Sequence, residues 1–377
     1  MARILMVNLP LAGHTNPTLP LTRALVEQGH VVSYVNAEEY RSRIENTGAV
    51  FIPYTNYPDS PSEEQKARRM FRAAYDTTVG LRQRFDLLIY EMFFYPGIDI
   101  ASRLKVNAVR QFAQPAWPKN TMVKASPSFR LTSRLIDYKV MSRKDRAHMG
   151  QTGRTMSEAI MHDQPVLNIV YVPRFFQTQS QEFGADFLFN VPLNSDVSVG
   201  SSHAQVIDYA KMTSPIIYIS LGSIADKRGF YKECIRTFAN RNLSVILNTG
   251  RVNPKALGNL PDNIHAYSFV PQIEVLQHSD VFLTHSGMNS ITEAMIHGVP
   301  MVTMPLSGDQ PANARRVVEL GIGKQLHRSS RSGRRLYETV MDVYGDAQIR
   351  RRVAEVQGLM SNETPLAEVV SRIERLL

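Results

Sequence analysis

One segment of the chain combines glycine, small polar residues and a carboxylate at spacings that suit a phosphate-containing ligand. Residues 284–294 directly follow an apolar run of strand length. Gly287 permits a close approach of ligand to backbone, and Asn289 or Ser290 is predicted to cap a helix that ends near Gly298. The unpaired N–H groups at a helix start carry partial positive charge and bind anions. The segment therefore predicts an anion site.

A second loop repeats this geometry one strand further along. An apolar run at 301–304 is followed by loop 305–310, so Asp309 and Gln310 are expected at the carboxyl end of a strand. Their oxygens and amide protons suit sugar hydroxyls, and Glu293, one turn into the preceding helix, could accept ribose hydroxyls. Ordinary helix caps are the alternative for either loop taken alone. Together the two loops indicate a nucleotide-sugar site.

Elements of α/β type must position these residues. Strand-length apolar runs alternate with helical patterns, which predicts βαβ units and two doubly wound parallel sheets. We expect an N-terminal domain, a linker, a C-terminal domain and a final helix packing back toward the N-terminal domain, at residues 1–192, 193–214, 215–360 and 361–377. Two such domains joined by a linker imply a cleft between them.

Composition and charge exclude several protein classes. Hydrophobic residues make up 43% and charged residues 20% of the 377 residues, which is typical of a folded globular protein. Cys234 is the only cysteine, which excludes an internal disulfide and favours a reducing cytoplasm, and no run of eighteen apolar residues is present. The net charge of +9 suits a phosphate ligand, nucleic acid or acidic lipid. No nucleic-acid-binding module is recognisable, so we expect no nucleic-acid partner.

The ordered motifs resemble a known family. The run Phe269-Val270-Pro271-Gln272, followed by residues 285–290 with Glu293 and by 305–310, closely resembles the donor signature of GT-B nucleotide-sugar glycosyltransferases. The greatest similarity is to bacterial macrolide and natural-product glucosyltransferases and to plant secondary-metabolite enzymes. Residues 13–19 resemble the acceptor-side histidine loop of the same family. The resemblance implies two Rossmann-like domains facing across a cleft and covers nearly the whole chain.

The resemblance also implies roles for the donor-side residues. A UDP-sugar, with glucose as the expected sugar, would be the co-substrate. The diphosphate would contact His285, Gly287, Asn289 and Ser290, with Ser223 nearby. The ribose would contact Glu293, the base Gln272, the Val270 backbone and a stacking Phe269, and the sugar Asp309 and Gln310. Plant relatives usually have tryptophan at the position of Phe269.

His14 is the candidate catalytic base. A lone loop histidine is usually solvated or part of a cap, but beside a sugar donor a neutral imidazole could take the proton of an acceptor hydroxyl, and inversion at the anomeric carbon follows. The family usually places an aspartate after the fourth strand to orient this base, whereas this chain has Glu91. Because glutamate is one methylene longer, either the loop is set back or the pair is poorly formed. A solvated strand-end residue is the remaining alternative.

No metal or other cofactor is expected. A departing nucleoside diphosphate is already a weak base, and helix N-terminal N–H groups can carry its charge. The chain contains no Asp-x-Asp triplet, which agrees with a metal-independent reaction.

The acceptor site is expected in the N-terminal domain. Its candidate lining is aromatic, formed by Phe93, Phe94, Phe112 and Trp117. Aromatic residues near strand ends more often belong to the core, but as a group they favour an apolar acceptor. The sequence therefore predicts an inverting glycosyltransferase that acts on a hydroxyl of a hydrophobic small molecule.

Three alternatives stay open. Two basic regions, 66–72 and 324–352, are typical of solvated helix faces, but they would also suit a peripheral-membrane enzyme with a lipid acceptor, a less favoured partner. A nucleotide-sugar binder with a degraded His14–Glu91 pair is the second alternative. A dehydrogenase is disfavoured because no Gly-x-Gly-x-x-Gly follows the first strand. The oligomeric state is not determined by these patterns.

Overall fold

A computed structural model describes residues 1–58, 62–118, 141–191, 207–222 and 227–377. The chain divides into two compact units. Unit 1 comprises Met1–Val197 and Glu363–Leu377, and unit 2 comprises Ser198–Asn362. Most of the predicted linker, residues 193–206, lies outside the described residues, and a short 3-10 turn, Tyr209–Lys211, follows it.

Unit 1 is built on a seven-stranded parallel sheet with strand order β3-β2-β1-β4-β5-β6-β7. Its strands are β1 (Arg3–Val7), β2 (Val31–Asn36), β3 (Val50–Pro53), β4 (Leu87–Glu91), β5 (Asn107–Phe112), β6 (Leu167–Val170) and β7 (Phe187–Phe189). The strand order reverses between β1 and β4, where ligands commonly bind in open α/β sheets.

Helices follow most strands of unit 1. They are α1 (Ala12–Thr15), α2 (Leu19–Glu27), α3 (Arg41–Glu45), α4 (Glu63–Gly80), α5 (Gly97–Leu104), α6 (Arg143–His148), α7 (Met156–His162) and, from the end of the chain, the helix Leu366–Glu374.

Unit 2 carries a six-stranded parallel sheet, order β10-β9-β8-β11-β12-β13. Its strands are β8 (Ile216–Ser220), β9 (Ser244–Asn248), β10 (Ile264–Tyr267), β11 (Val281–Thr284), β12 (Met301–Thr303) and β13 (Gly323–Gln325). Its helices are α8 (Arg228–Phe238), α9 (Gln272–Gln277), α10 (Met288–Ile296), α11 (Gln310–Glu319), α12 (Gly333–Gly345) and α13 (Ala347–Leu359), so Leu366–Glu374 is α14. The prediction of two parallel α/β sheets is confirmed.

Both faces of the unit 1 sheet are buried. In β1, Ile4 and Met6 belong to one hydrophobic cluster, whereas Leu5 and Val7 belong to the other. A strand covered on both faces is apolar throughout, which explains the uninterrupted apolar run at the start of the chain. Helix α14 places Val369 in the cluster of Ile4 and Met6, which makes this C-terminal segment part of unit 1.

Membrane-spanning helices and metal-binding clusters are absent from the described ranges. None of the helices there combines the length and apolar character needed to cross a membrane. Within those same ranges, no three His, Cys, Asp or Glu side chains are grouped so that they could hold a metal ion.

Candidate active site

The structure joins His14 and Glu91 at the carboxyl edge of the unit 1 sheet. His14 lies in α1, just after β1, and Glu91 is the last residue of β4, the strand that pairs with β1. The Nδ1 atom of His14 and Oε1 of Glu91 are 2.8 Å apart. Because a carboxylate can only accept, Nδ1–H is the donor. The Glu91 side chain is 1% exposed and that of His14 is 17% exposed, so a buried carboxylate orients an imidazole that solvent can reach.

This geometry decides among the sequence-based alternatives for Glu91. The glutamate is buried and bonded to His14, so it is not a solvated strand-end residue. Its extra methylene is accommodated, since the carboxylate reaches the imidazole at hydrogen-bond distance.

A buried polar network fixes the loop that carries His14. The Asn8 amide donates to the His14 carbonyl at 3.1 Å, and the Thr15 hydroxyl donates to the Leu9 carbonyl at 3.2 Å. The Asn36 amide, at the end of β2, donates to Thr15 Oγ1 at 3.1 Å. The sequence analysis missed Asn8 and Asn36, although a polar residue that ends each of two apolar strands was an available signal.

On the donor side, the imidazole of His285 lies between two glycines. A Cβ added to Gly222 would lie 2.9 Å from His285 Nε2, and one added to Gly287 would lie 2.6 Å from the same atom. Burial lowers the pKa of His285, while the Asp309 carboxylate and a hydrogen bond to the Ser220 backbone oppose that shift. Its Nδ1 is buried without a hydrogen-bond partner among the described residues. Burial therefore favours the neutral form of this imidazole.

Helix α10 begins directly after the loop that carries His285. Its N-cap residue is Gly287, which makes no side-chain cap. The expected cap by Asn289 or Ser290 is wrong, because these are the second and third residues of the helix. Gly287 has no side chain that could compete with an anion for the helix start.

Three predicted donor residues meet on α9 and α10. The Gln272 amide donates to Glu293 Oε2 at 2.5 Å and to Ser290 Oγ at 3.2 Å. The Tyr218 hydroxyl donates to Gln272 Oε1 at 3.0 Å and so fixes the direction of the amide. Burial raises the pKa of Glu293 to about 7, and the bond from Gln272 opposes the shift.

The second predicted loop is linked to the first by a residue that the sequence analysis missed. The Asn313 amide, on α11, donates to Asp309 Oδ2 at 2.6 Å and to the Ser286 carbonyl at 3.1 Å. Gln310 Oε1 accepts from the backbone N–H of Leu306 at 2.8 Å and of Ser307 at 3.1 Å. Gln310 therefore shapes its own loop through its amide oxygen.

The remaining predicted donor residues are Phe269, Val270 and Ser223. Phe269 is 46% exposed and could stack on a base, whereas the Val270 side chain is buried. Ser223 lies outside the described residues.

Among the acceptor candidates, Phe94 and Phe112 lie in the core of unit 1 and offer no surface to a ligand. Phe93 is half-buried, with its ring centroid 5.2 Å from that of His14, and Trp117 is also partly exposed.

Comparison with known proteins agrees with this arrangement. The family model described as UDP-glucoronosyl and UDP-glucosyl transferase matches residues 165–367, more than half of the chain. The NDP-glycosyltransferase YjiC of Bacillus subtilis (strain 168) is 30% identical over 94% of this chain and 92% of that protein. The chain belongs to this glycosyltransferase family.

A second relative and a solved structure support the assignment of the chain to this family. The oleandomycin glycosyltransferase of Streptomyces antibioticus is 26% identical over 99% of this chain and 90% of that protein. The crystal structure of the glycotransferase of kitacinnamycin is 26% identical, with a TM-score of 0.85, and covers 100% of this chain and 99% of that one. The glycosyltransferase thus has the GT-B fold that its motifs implied.

Proposed function

We propose that this glycosyltransferase transfers glucose from UDP-glucose to a hydroxyl of an apolar small molecule, with inversion at the anomeric carbon. The observation that carries the proposal is the 2.8 Å hydrogen bond between His14 and the buried Glu91. This arrangement is that of an oriented general base.

The proton transfer follows from the two ring nitrogens of His14. Because Glu91 engages Nδ1, Nε2 is the nitrogen that takes the proton of the acceptor hydroxyl. The acceptor oxygen then forms a bond to the anomeric carbon as the bond from that carbon to the phosphate oxygen breaks. The electron pair leaves with UDP, and the buried Glu91 carboxylate stabilises the imidazolium.

The donor site supplies complementary groups for UDP. The start of α10 at Gly287 suits the diphosphate, and Glu293 suits the ribose. The half-exposed Phe269 suits the uracil face, and Asp309 suits the sugar hydroxyls. The N–H groups at the start of α10 would carry the developing charge on UDP without a metal ion.

Names of relatives support the substrate classes. The family description includes UDP-glucosyl transferases, and one relative is named for oleandomycin, a small molecule. The half-buried Phe93 beside His14 adds an apolar surface where an acceptor could lie.

Product analysis tests the proposal. The protein is incubated with UDP- and dTDP-sugars and with a phenol (umbelliferone), an apolar secondary alcohol (testosterone) and a macrolide, and products are identified by mass spectrometry. We expect a hexose added from UDP-glucose, a β-linkage by NMR, and activity unaffected by EDTA. An α-linked product would contradict inversion, and loss of activity that magnesium restores would contradict the metal-independent scheme.

A further inference from the structure

The Glu91 carboxylate has a second oxygen that the proposed mechanism does not use. Oε1 faces His14, whereas Oε2 is buried and has no hydrogen-bond partner among the described residues. A buried carboxylate oxygen without a donor is costly, because it has lost its water without replacement. The site therefore calls for a nearby donor.

Gln111 carries an unused donor beside it. Its Nε2 atom is also buried and has no partner within the described part of the chain. The Tyr171 hydroxyl donates to Gln111 Oε1, which identifies the other end of the amide as the nitrogen. The amide oxygen thus has a partner, whereas the two N–H groups have none among the described residues.

Strand register places these two groups on the same face. β4 and β5 are parallel neighbours, and Glu91 is directly paired with Gln111. Paired residues on neighbouring strands lie about 4.8 Å apart and point to the same side of the sheet. The side chains of Glu91 and Gln111 have equal length, so a short rotation or one trapped water brings Nε2 to Oε2.

Two tyrosines near Glu91 have hydroxyls that are already engaged. The Tyr34 hydroxyl bonds to Thr18 Oγ1 at 2.7 Å, and the Tyr54 hydroxyl donates to the Asn8 carbonyl. Burial holds the pKa of each of these tyrosines above its ordinary value, as it does for Tyr171, so all three are neutral.

The neighbouring cation, Arg110, serves the opposite face of the sheet. It pairs in register with Tyr90 and donates to Asn168 Oδ1 at 3.0 Å and to the Ile160 carbonyl at 2.9 Å. Gln111 is therefore the donor best placed to serve Glu91.

We propose that Gln111 is a positioning residue for the base: its amide N–H, directly or through one buried water, holds Glu91 Oε2 and thereby keeps Oε1 on His14. The chain Tyr171–Gln111–Glu91–His14 then runs across β6, β5, β4 and β1. This inference rests on the proposed role of His14, and it assigns a partner to the glutamate that replaces the usual aspartate of the family.

The primary test replaces Gln111 by methionine, which keeps the side-chain length but has no N–H. With UDP-glucose and whichever of umbelliferone or testosterone is turned over, we expect kcat to fall roughly tenfold, with KM for UDP-glucose unchanged. The acid limb of the pH–kcat profile should move to higher pH by roughly one unit, because losing a donor to an anion raises the proton affinity of the His14–Glu91 pair. An unmoved limb would overturn the proposal.

A double-mutant cycle separates a positioning role from a packing defect. If Gln111 acts through Glu91, Gln111→Met should change kcat less than about twofold in a Glu91→Gln background. An equal loss in both backgrounds would contradict the inference. Tyr34→Phe is the matched control, since it removes a buried hydroxyl from the same face without touching Gln111, and it should leave the acid limb in place.

Two further results keep the test decisive. If His14→Ala retains turnover, the proposed base is wrong, whereas an unmoved limb in Gln111→Met alone removes only the inference. If Gln111→Met does not fold, a high-resolution crystal structure of the unaltered protein decides. Gln111 Nε2 within hydrogen-bond distance of Glu91 Oε2, or of a water shared with it, supports the proposal. A different donor on Oε2 overturns it.

Discussion

The dyad of unit 1 and the donor loops of unit 2 differ in how the protein holds the groups that are proposed to act on substrate. His14 is already bonded to Glu91, and its loop is held by Asn8. In the donor loops, the N-cap of α10 is a glycine without a side-chain cap, and Nδ1 of buried His285 has no partner among the described residues. Their carboxylate, Glu293, is destabilised by burial, which raises its pKa to about 7.

The two sites differ because one is proposed to perform chemistry and the other to bind a ligand. A base must hold one orientation before the acceptor arrives, so its partners belong to the protein. A ligand site must leave donors and acceptors for the ligand, which costs stability when the site is empty. Changes in unit 1 should therefore act on kcat, and changes in unit 2 on donor affinity.

The largest expected effect tests the unit 1 side of this division. His14→Ala should lower kcat by roughly 10²–10⁴-fold, because the proposed general base is lost, while UDP affinity measured by calorimetry stays unchanged. An alcohol acceptor such as testosterone suits the assay better than a phenol, since an alcohol cannot ionise without a base. His30→Ala is the matched control, because His30 precedes β2 at the opposite end of the strands. Turnover that survives His14→Ala would end the base assignment.

A smaller effect is expected at Glu91. Glu91→Gln should lower kcat by roughly 10- to 100-fold, since it removes the charge that stabilises the imidazolium. Glu91→Asp should also lower kcat, because the structure places the longer glutamate at 2.8 Å from His14. The family pattern alone predicts the opposite, a gain with aspartate. A gain in steady-state kinetics would mean that the loop adjusts to the shorter side chain.

Donor affinity should depend on pH through Glu293. Since the pKa of Glu293 is raised to about 7, the carboxylate fraction grows as pH rises from 6 to 8, and the ionised form accepts the ribose hydroxyls better. We expect UDP-glucose to bind roughly tenfold more tightly at pH 8 than at pH 6. UDP-glucose is preferred over UDP because its diphosphate is esterified at both ends and does not titrate in this range. Glu293→Gln should bind more weakly at pH 8 and lose this pH dependence, and a retained dependence would assign it to another group.

The smallest expected effect concerns the glycines around His285. Gly287→Ala should weaken UDP binding by roughly threefold to tenfold, because a Cβ 2.6 Å from Nε2 must displace the imidazole. The backbone of Gly287 has φ −65°, so alanine adds steric conflict there without backbone strain. Gly358→Ala, where an added Cβ meets nothing within 4 Å, is the control. Unchanged calorimetric affinity in Gly287→Ala would mean that the ring moves freely.

Much of the fold followed from sequence pattern, and the exceptions have a physical reason. Long apolar strands such as β4 and β8 were predicted because central parallel strands are buried on both faces. The strands β3, β7 and β13 are harder to recognise from sequence, because each has only three or four residues and lies at a sheet edge.

The residues of the candidate site also fall into those that local sequence patterns reveal and those that they do not. Residues in local motifs, such as His285 and Glu293, could be found because a strand, a glycine turn and a helix follow each other in the chain. The pairing of His14 with Glu91 spans 77 positions and was suggested by family resemblance alone. Asn313 and Gln111 escaped notice because their partners come from neighbouring loops and strands, which no local pattern reveals.

Helix α14 determines when unit 1 can complete its hydrophobic core during synthesis. Its Val369 and Ile373 complete a hydrophobic cluster begun by Ile4 and Met6, more than 350 positions earlier. During synthesis on the ribosome, this cluster of unit 1 therefore stays incomplete until unit 2 and helix α14 have been synthesised. A chain that lacks residues 366–374 would expose the uncovered apolar surface to chaperones and proteases.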